Sequence, residues 1–490
     1  MAKQEIDWRP YPASPAQQDG RGRSTWLRGI RSSVAARFPE WLLVLIILTL
    51  PLQVSKTLFP IQQVEISRLL MLVAFVWMLT LGRSRGWPLP RAMTLSIGLI
   101  LGLLVASLLL TRWQNGVLLV LAPLYYTAFA AFVAIAVRDR VAVAMVAAAM
   151  IAAGVYVAIL AVALGIADVY LWRDGVFGTL GRTNATFWDP NIAARFLNIA
   201  LIVLFAVVTI TRLPDRRMGL AIAACIMLLA ASMVLTQSRF GWITAIVMLP
   251  LAIAAFRPRR WVIAFSGLFL ATFIAVAAVN GTAASRAGEL AAGVSYSLGG
   301  DDSIESRGNL IGAENVTYIP PRAVFGHALY ERLPIDGIRY YLLEAGIAMW
   351  EDHPIVGIGV GGFSPYLLGE YRDFIPRDRL SAPVTLPHTF LSQFAAEFGF
   401  VGLAVLAIFL AVLINFVVQA TRRAGSLVLR SAAVAVGLSI VIIFLSSQVA
   451  GGFLVEPYLW LAIGMLAAIH RSMGLDAITG APRTAGSELP

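Results

Sequence analysis

The sequence predicts an all-α polytopic membrane protein of about twelve transmembrane helices, with a large extracytoplasmic loop between spans nine and ten. Three observations predict it. Of 490 residues, 59% are hydrophobic and 13% are charged, whereas a soluble domain carries about 25% charged residues. The apolar residues fall into runs of about 20, the length a helix needs to cross a bilayer. Arginine clusters punctuate alternate gaps between those runs, which sets an orientation as well as a count.

Residues 1–37 are polar and carry Arg9, Arg21, Arg23, Arg28, Arg31 and Arg37, so they read as a flexible basic cytoplasmic tail. No cleavable signal peptide is visible there, and the first span is expected to act as an uncleaved anchor. Residues 38–280 hold nine spans, near 39–55, 66–82, 92–111, 116–137, 141–165, 190–211, 218–236, 239–256 and 261–280. Pro51 interrupts the first of them. The large loop is 281–386. Residues 387–471 hold the remaining spans, near 396–419, 429–449 and 453–470, and 472–490 form a second cytoplasmic tail.

With the N-terminus inside, every inner loop carries an arginine cluster: Arg83/Arg85/Arg91, Arg138/Arg140, Arg212/Arg216/Arg217, Arg257/Arg259/Arg260 and Arg422/Arg423/Arg430, with Arg471 after the last span. The outer connections carry scattered charges such as Lys56, Arg68, Arg112 and Arg173. The same distribution turns the net charge of +11 away from nucleic acid, because the clusters follow topology and form no continuous basic stripe. The one cysteine, Cys225, lies in an apolar run; it excludes an intrachain disulfide and a CxxC zinc site and reads as packing.

Two outer connections draw the chemistry. Residues 166–189 include Trp172, Asp174 and Arg182. In the large loop, Leu343, Ile347 and Trp350 recur at helical spacing while Arg339 and Glu351 are polar, which predicts a helix at the outer interface. Asp301-Asp302 belongs to a Gly/Asp/Ser stretch and reads as solvated turn, not as a catalytic acid pair.

Asp189-Pro190-Asn191 opens the sixth span with a good N-cap residue and a proline at the first helical position. Arg195 follows one turn later on the same face. A helix N-terminus beside an arginine is an anion site; a capped helix with a snorkelling arginine is the plainer alternative. Ser238-Arg239 sits at an outer junction between apolar runs, where an ionisable group is either paired and functional or an interfacial anchor. His353-Pro354 precedes Gly357, Gly359, Gly361 and Gly362, a density of glycine that permits close backbone approach to a ligand but lacks the context of a phosphate loop. His388 precedes the tenth span and is the candidate base. Glu397, nine residues on, falls on the opposite face of a continuous helix and is not expected to partner it.

Taken in order, these pieces resemble the O-antigen ligase and O-antigen polymerase superfamily. The matching stretches run from Ala185-Thr186-Phe187-Trp188-Asp189-Pro190-Asn191 through Thr236-Gln237-Ser238-Arg239-Phe240-Gly241. After the large loop come Arg339, then His353-Pro354-Ile355-Val356-Gly357-Ile358-Gly359-Val360-Gly361-Gly362-Phe363, then His388-Thr389-Phe390-Leu391 and Ala395-Ala396-Glu397-Phe398-Gly399. Thr389 stands where the family often has Asn, and Arg307 competes with Arg339 for the family's loop arginine.

The resemblance implies a glycosyltransferase C-like fold in the bacterial inner membrane with its site on the extracytoplasmic side. It implies transfer, with inversion, of a glycan from undecaprenyl diphosphate to a glycan, lipid or protein acceptor, without metal or other cofactor. His388 would be the base, Arg182, Arg195, Arg239 and Arg339 would hold the diphosphate, and Asp189 and Asn191 would cap the helix at the site. Ligase, polymerase and protein glycosyltransferase remain open, since they differ in acceptor. Other classes fit less well. A secondary transporter would place charges and broken helices at the midplane, whereas these charges gather at the outer ends; a membrane scaffold would need none of them.

Overall fold

The computed structural model describes residues 37–53, 65–81, 87–111, 114–169, 181–211, 215–297, 321–325, 337–377, 380, 385, 389–450 and 452–478. Among these residues the regular structure is helical throughout. The first nine helices are α1 (Phe38–Thr49), α2 (Ile66–Leu81), α3 (Arg91–Thr111), α4 (Gln114–Ala136), α5 (Arg140–Ala167), α6 (Pro190–Thr211), α7 (Arg216–Leu235), α8 (Arg239–Ala255) and α9 (Arg259–Val279). Then follow α10 (Gly281–Ser297), α11 (Gly337–Asp352), the short α12 (Phe363–Leu368), α13 (Phe390–Arg423), α14 (Leu427–Ser446) and α15 (Pro457–Ile478).

Each expected span overlaps a helix. Eight of them, α3 to α7, α9, α13 and α14, are long and apolar enough to cross a membrane; α1, α2 and α8 are apolar but shorter. In α1 the reason is local: the helix stops at Thr49, just before Pro51, which cannot donate to the ladder. Starts are equally local. Asp139, Asp215, Ser238 and Ser426 cap α5, α7, α8 and α14, their side chains accepting from the amides of Ala142, Arg217, Gly241 and Leu429 at 2.8–3.3 Å.

Contacts between helix ends sort the bundle into two ends. At one, Arg37 meets Asp139 and Arg471 donates to the carbonyls of Ala134 and Val137 at the end of α4. At the other, called the site end here, α6, α8, α13 and α15 begin while α1, α7 and α14 finish. There the Gln53 amide donates to the Thr186 carbonyl at 3.2 Å, Thr183 to Leu235 at 3.1 Å and Phe390 to Ser447 at 3.1 Å. The middle of the bundle is α6, buried along nearly its whole length and packed against α5, α7, α8, α9 and α14. Cys225 is partly buried against that core, as its position in an apolar run suggests.

Two features of the large loop differ from expectation. Residues 281–297, read as loop, continue from α9 as the helix α10. Their sequence is polar but five of the seventeen residues are alanine, so helix propensity decides where hydropathy is silent. In α11 the sequence marks Leu343, Ile347 and Trp350 as the apolar stripe. The structure buries the adjoining face instead: Tyr341, Leu342, Ala345, Ala348 and Met349 are sealed in a second core with Phe363, Leu367 and Phe374. Small residues lie on that face because α11 packs closely on α13.

Candidate functional site

The two motifs at the starts of α6 and α8 meet at the site end. The Asp189 carboxylate accepts from the Asn191 amide at 2.7 Å and caps α6. The Asn191 side-chain oxygen then accepts from the Ser238 hydroxyl at 2.7 Å and from the Arg182 guanidinium at 3.3 Å. Arg182 also reaches the Thr236 carbonyl at 3.3 Å. Asn198, two turns further along α6, donates to the Gly241 carbonyl at 3.0 Å. A β-carbon on Gly241 would lie 2.5 Å from that of Ala194, so only glycine lets α6 and α8 come this close. Arg239, the first residue of α8, is half-buried directly after Ser238. Arg182 thus sits where two helix N-termini meet through the Asn191–Ser238 hydrogen bond, and Arg239 opens the second of those helices.

Arg195 has a different neighbourhood. It is 2% exposed, and its guanidinium donates to the Glu456 carboxylate and the Ala450 carbonyl, both in the turn between α14 and α15. That turn also holds the start of α13. The Phe390 amide donates to the Ser447 carbonyl and the Leu391 amide to the Gln448 side chain at 3.2 Å. The residues just after His388 are therefore tied, through the 447–456 turn, to α6 and so to the Asn191–Ser238 junction.

The glycine motif has a protein partner. At Gly399, φ 59° and ψ −155° break α13. The Ala396 and Glu397 carbonyls, released by the break, accept from the amides of Ile358 and Gly359, each at 2.9 Å. In return the amides of Phe400 and Val401 donate to the carbonyls of Pro354 and Ile355 at 2.7 and 3.1 Å. Close backbone approach does occur, but to a broken helix. A β-carbon at Gly357 would sit 2.3 Å from the Glu397 carbonyl carbon and one at Gly399 2.4 Å from the Ile355 oxygen. Glu397 is fully enclosed here, accepting from Gln393 at 3.2 Å and from the amides of Gly361 and Phe363. It locks the motif to α13.

A separate polar knot secures the outer part of the large loop. Asp352 at the end of α11 accepts from Arg322 at 2.7 Å and from the Tyr371 hydroxyl at 2.6 Å. Burial acts to raise the Asp352 pKa, but the Arg322 and Tyr371 hydrogen bonds and the Arg322 charge outweigh it and hold the carboxyl below its ordinary value.

Two apolar grooves run along the bundle to the site end. One, of about 640 Å³, lies among α5, α6, α14 and α15, from Arg140 and Thr211 up to Tyr458. The other, of about 480 Å³, lies between α8, α13 and α14 and ends at Phe444 and Leu445.

Of the residues singled out in the sequence, Arg182, Asp189 and Asn191 come together beside Ser238, which Arg239 follows in the chain, while Arg195 turns to Glu456. His388 and Arg307 lie outside the described residues, as does the side chain of Arg339, which falls in the first turn of α11. Sequence reasoning passed over Glu456, Ser447, Gln448 and Gln53. Among the described residues no group of three His, Cys, Asp or Glu side chains is arranged to hold a metal ion. Residues 224–407 match the family model described as O-antigen ligase. That stretch contains the Thr236–Gly241 motif, the large loop, the glycine motif and the broken start of α13. No curated protein matches the chain.

Proposed function

We propose that this chain, whose residues 224–407 match the family model described as O-antigen ligase, is a membrane glycosyltransferase working at the outer leaflet. The donor is a glycan on undecaprenyl diphosphate and the acceptor is a hydroxyl of a second glycan or lipid. The observation that supports this most is the junction of α6 and α8, where Arg182 and Ser238 both bond Asn191 and Arg239 follows Ser238 in the chain. A diphosphate leaving group needs its developing charge held, and guanidinium groups beside helix N-termini do that.

The step follows from those parts. The acceptor oxygen attacks the anomeric carbon, the bond from that carbon to the diphosphate oxygen breaks, and the acceptor proton passes to His388. A single displacement inverts the anomeric centre. Arg182 and Arg239 hold the departing diphosphate, with Arg339 approaching from the loop. Arg195 already answers Glu456, so its part is to fix the 447–456 turn that positions the start of α13. The carrier's isoprenoid chain lies in one of the two apolar grooves, whose site ends adjoin this turn. No step requires a metal, because guanidinium groups provide the cationic charge.

The test is transfer from a lipid-diphosphate-linked glycan in isolated membranes. Arg239→Ala and His388→Ala are each expected to abolish it at normal protein levels. Wild-type rates in both would remove the proposal. Deleting the gene and examining surface glycan separates the acceptors: short capped chains mark a polymerase, and accumulated full-length carrier-linked glycan marks a ligase.

A further inference from the structure

The sequence predicts a helix at the outer interface within the long segment between α10 and α13, and the structure leaves large apolar residues beside that helix exposed. Phe325, Ile355 and Val356 are 71%, 66% and 67% exposed. They form one surface. The Trp350 ring meets Phe325 edge-on at 6.1 Å and Phe400 at 5.1 Å. Ile355 is held beside Val401 by the hydrogen bond of 3.1 Å described above, and Val356 follows it.

The surface also has a continuation. Phe400 and Val401 open the apolar stretch of α13 beyond its break, and Ile408, Ile414 and Val418 carry the exposed apolar residues on along that helix. On a helix of membrane-crossing length those residues face lipid. The loop surface extends that lipid face past Gly399 without a polar gap at the joint. At the edge of the surface the character changes sharply. Arg322, Glu351 and Asp352, all next to the aromatic group in sequence, are joined in the polar knot or bonded to the Phe325 amide. An apolar wedge with aromatic residues and a charged rim is the pattern of an interfacial segment.

We propose that Phe325, Trp350, Ile355 and Val356 seat the large loop in the bilayer leaflet at the site end, with lipid as the occupant of this surface. The backbone bonds across Gly399 fix its depth relative to α13. The loop is then a partly immersed collar, level with lipid headgroups, which a lipid-borne substrate meets as it diffuses in the membrane plane. This seat in the leaflet does not depend on glycan transfer.

The experiment uses the full chain with Cys225→Ala as background and single cysteines from Val356→Cys, Ile355→Cys, Val401→Cys and Glu370→Cys. Val401 is the lipid-facing reference and Glu370, exposed in the same loop, the aqueous one. Each variant is placed at one copy per nanodisc of phosphatidylethanolamine and phosphatidylglycerol. Reaction with a charged, membrane-impermeant maleimide and quenching of an attached fluorophore by lipids bearing a nitroxide near the headgroup are both read. Positions 355 and 356 are expected to lose maleimide reactivity as 401 does, and to be quenched by the nitroxide lipid, while 370 reacts fully. Reaction at 355 and 356 as fast as at 370, with 401 protected, overturns the proposal. Protection without lipid quenching overturns it too, because protein then covers the surface. Measuring two neighbouring positions keeps the result readable if one variant fails to fold.

Discussion

Single side chains at the site end do two kinds of work, and charge separates them. Arg195 and Glu456 are both enclosed and bonded to each other, so removing either leaves the other's polar group buried without its partner. Glu456→Gln is expected to destabilise the protein by about 3–5 kcal/mol, since it strands a buried guanidinium. Replacing both, with Arg195→Met and Glu456→Leu, is expected to recover most of the melting temperature in detergent. If the double variant melts as low as the single one, the charge pair is not what holds the turn. Asp352 answers to pH. Its folded pKa is lowered, so the stabilisation it gives is complete above the unfolded value of about 3.9 and disappears as pH falls through the folded value. Amide exchange at Val324, corrected for intrinsic rates, is therefore expected to accelerate only below about pH 4. Asp352→Asn is expected to show fast exchange at every pH. None of this was legible beforehand, because the partner of Arg195 lies 261 residues away and no local pattern marks it.

Helices and their joints show which signals a sequence carries well. Eight helices long and apolar enough to cross a bilayer were readable because such crossings demand long apolar runs, and arginines mark where those runs end. α10 was not, because a polar helix has no hydropathy to announce it. The buried face of α11 was not read because Ala345 and Ala348 matter for closeness of packing, which a count of large apolar residues overlooks. The glycine motif was visible, but its partner was not. Its demands are steric and can be measured. Gly357 has φ +70° and no room for a β-carbon. Gly357→Ala is expected to cost about 1–3 kcal/mol from backbone strain alone, with the collision in addition, and to lower the melting temperature. Gly267, in the middle of α9 with nothing within 4 Å of an added β-carbon, is the control. Gly267→Ala is expected to leave the protein unchanged or slightly more stable, by about 0.5–1 kcal/mol. Equal loss in both variants would mean that the joint at Gly399 is not tight.

Across the whole molecule, the arginine pattern predicts a topology that labelling can check. A cysteine replacing Asp215 is expected to react only from the cytoplasmic side, and one replacing Gly300 only from outside; the reverse would invert the orientation. The arrangement of α6 has a mechanical consequence. Asn191 engages Ser238 on one side of it and Arg195 engages Glu456 on another, while the rest of its length is gripped by neighbours. It behaves as an axle carrying two cams. Any rotation that lifts Asn191 off its seat must drag Arg195 from its own, so the regions around α8 and around the 447–456 turn are geared to move in step or not at all.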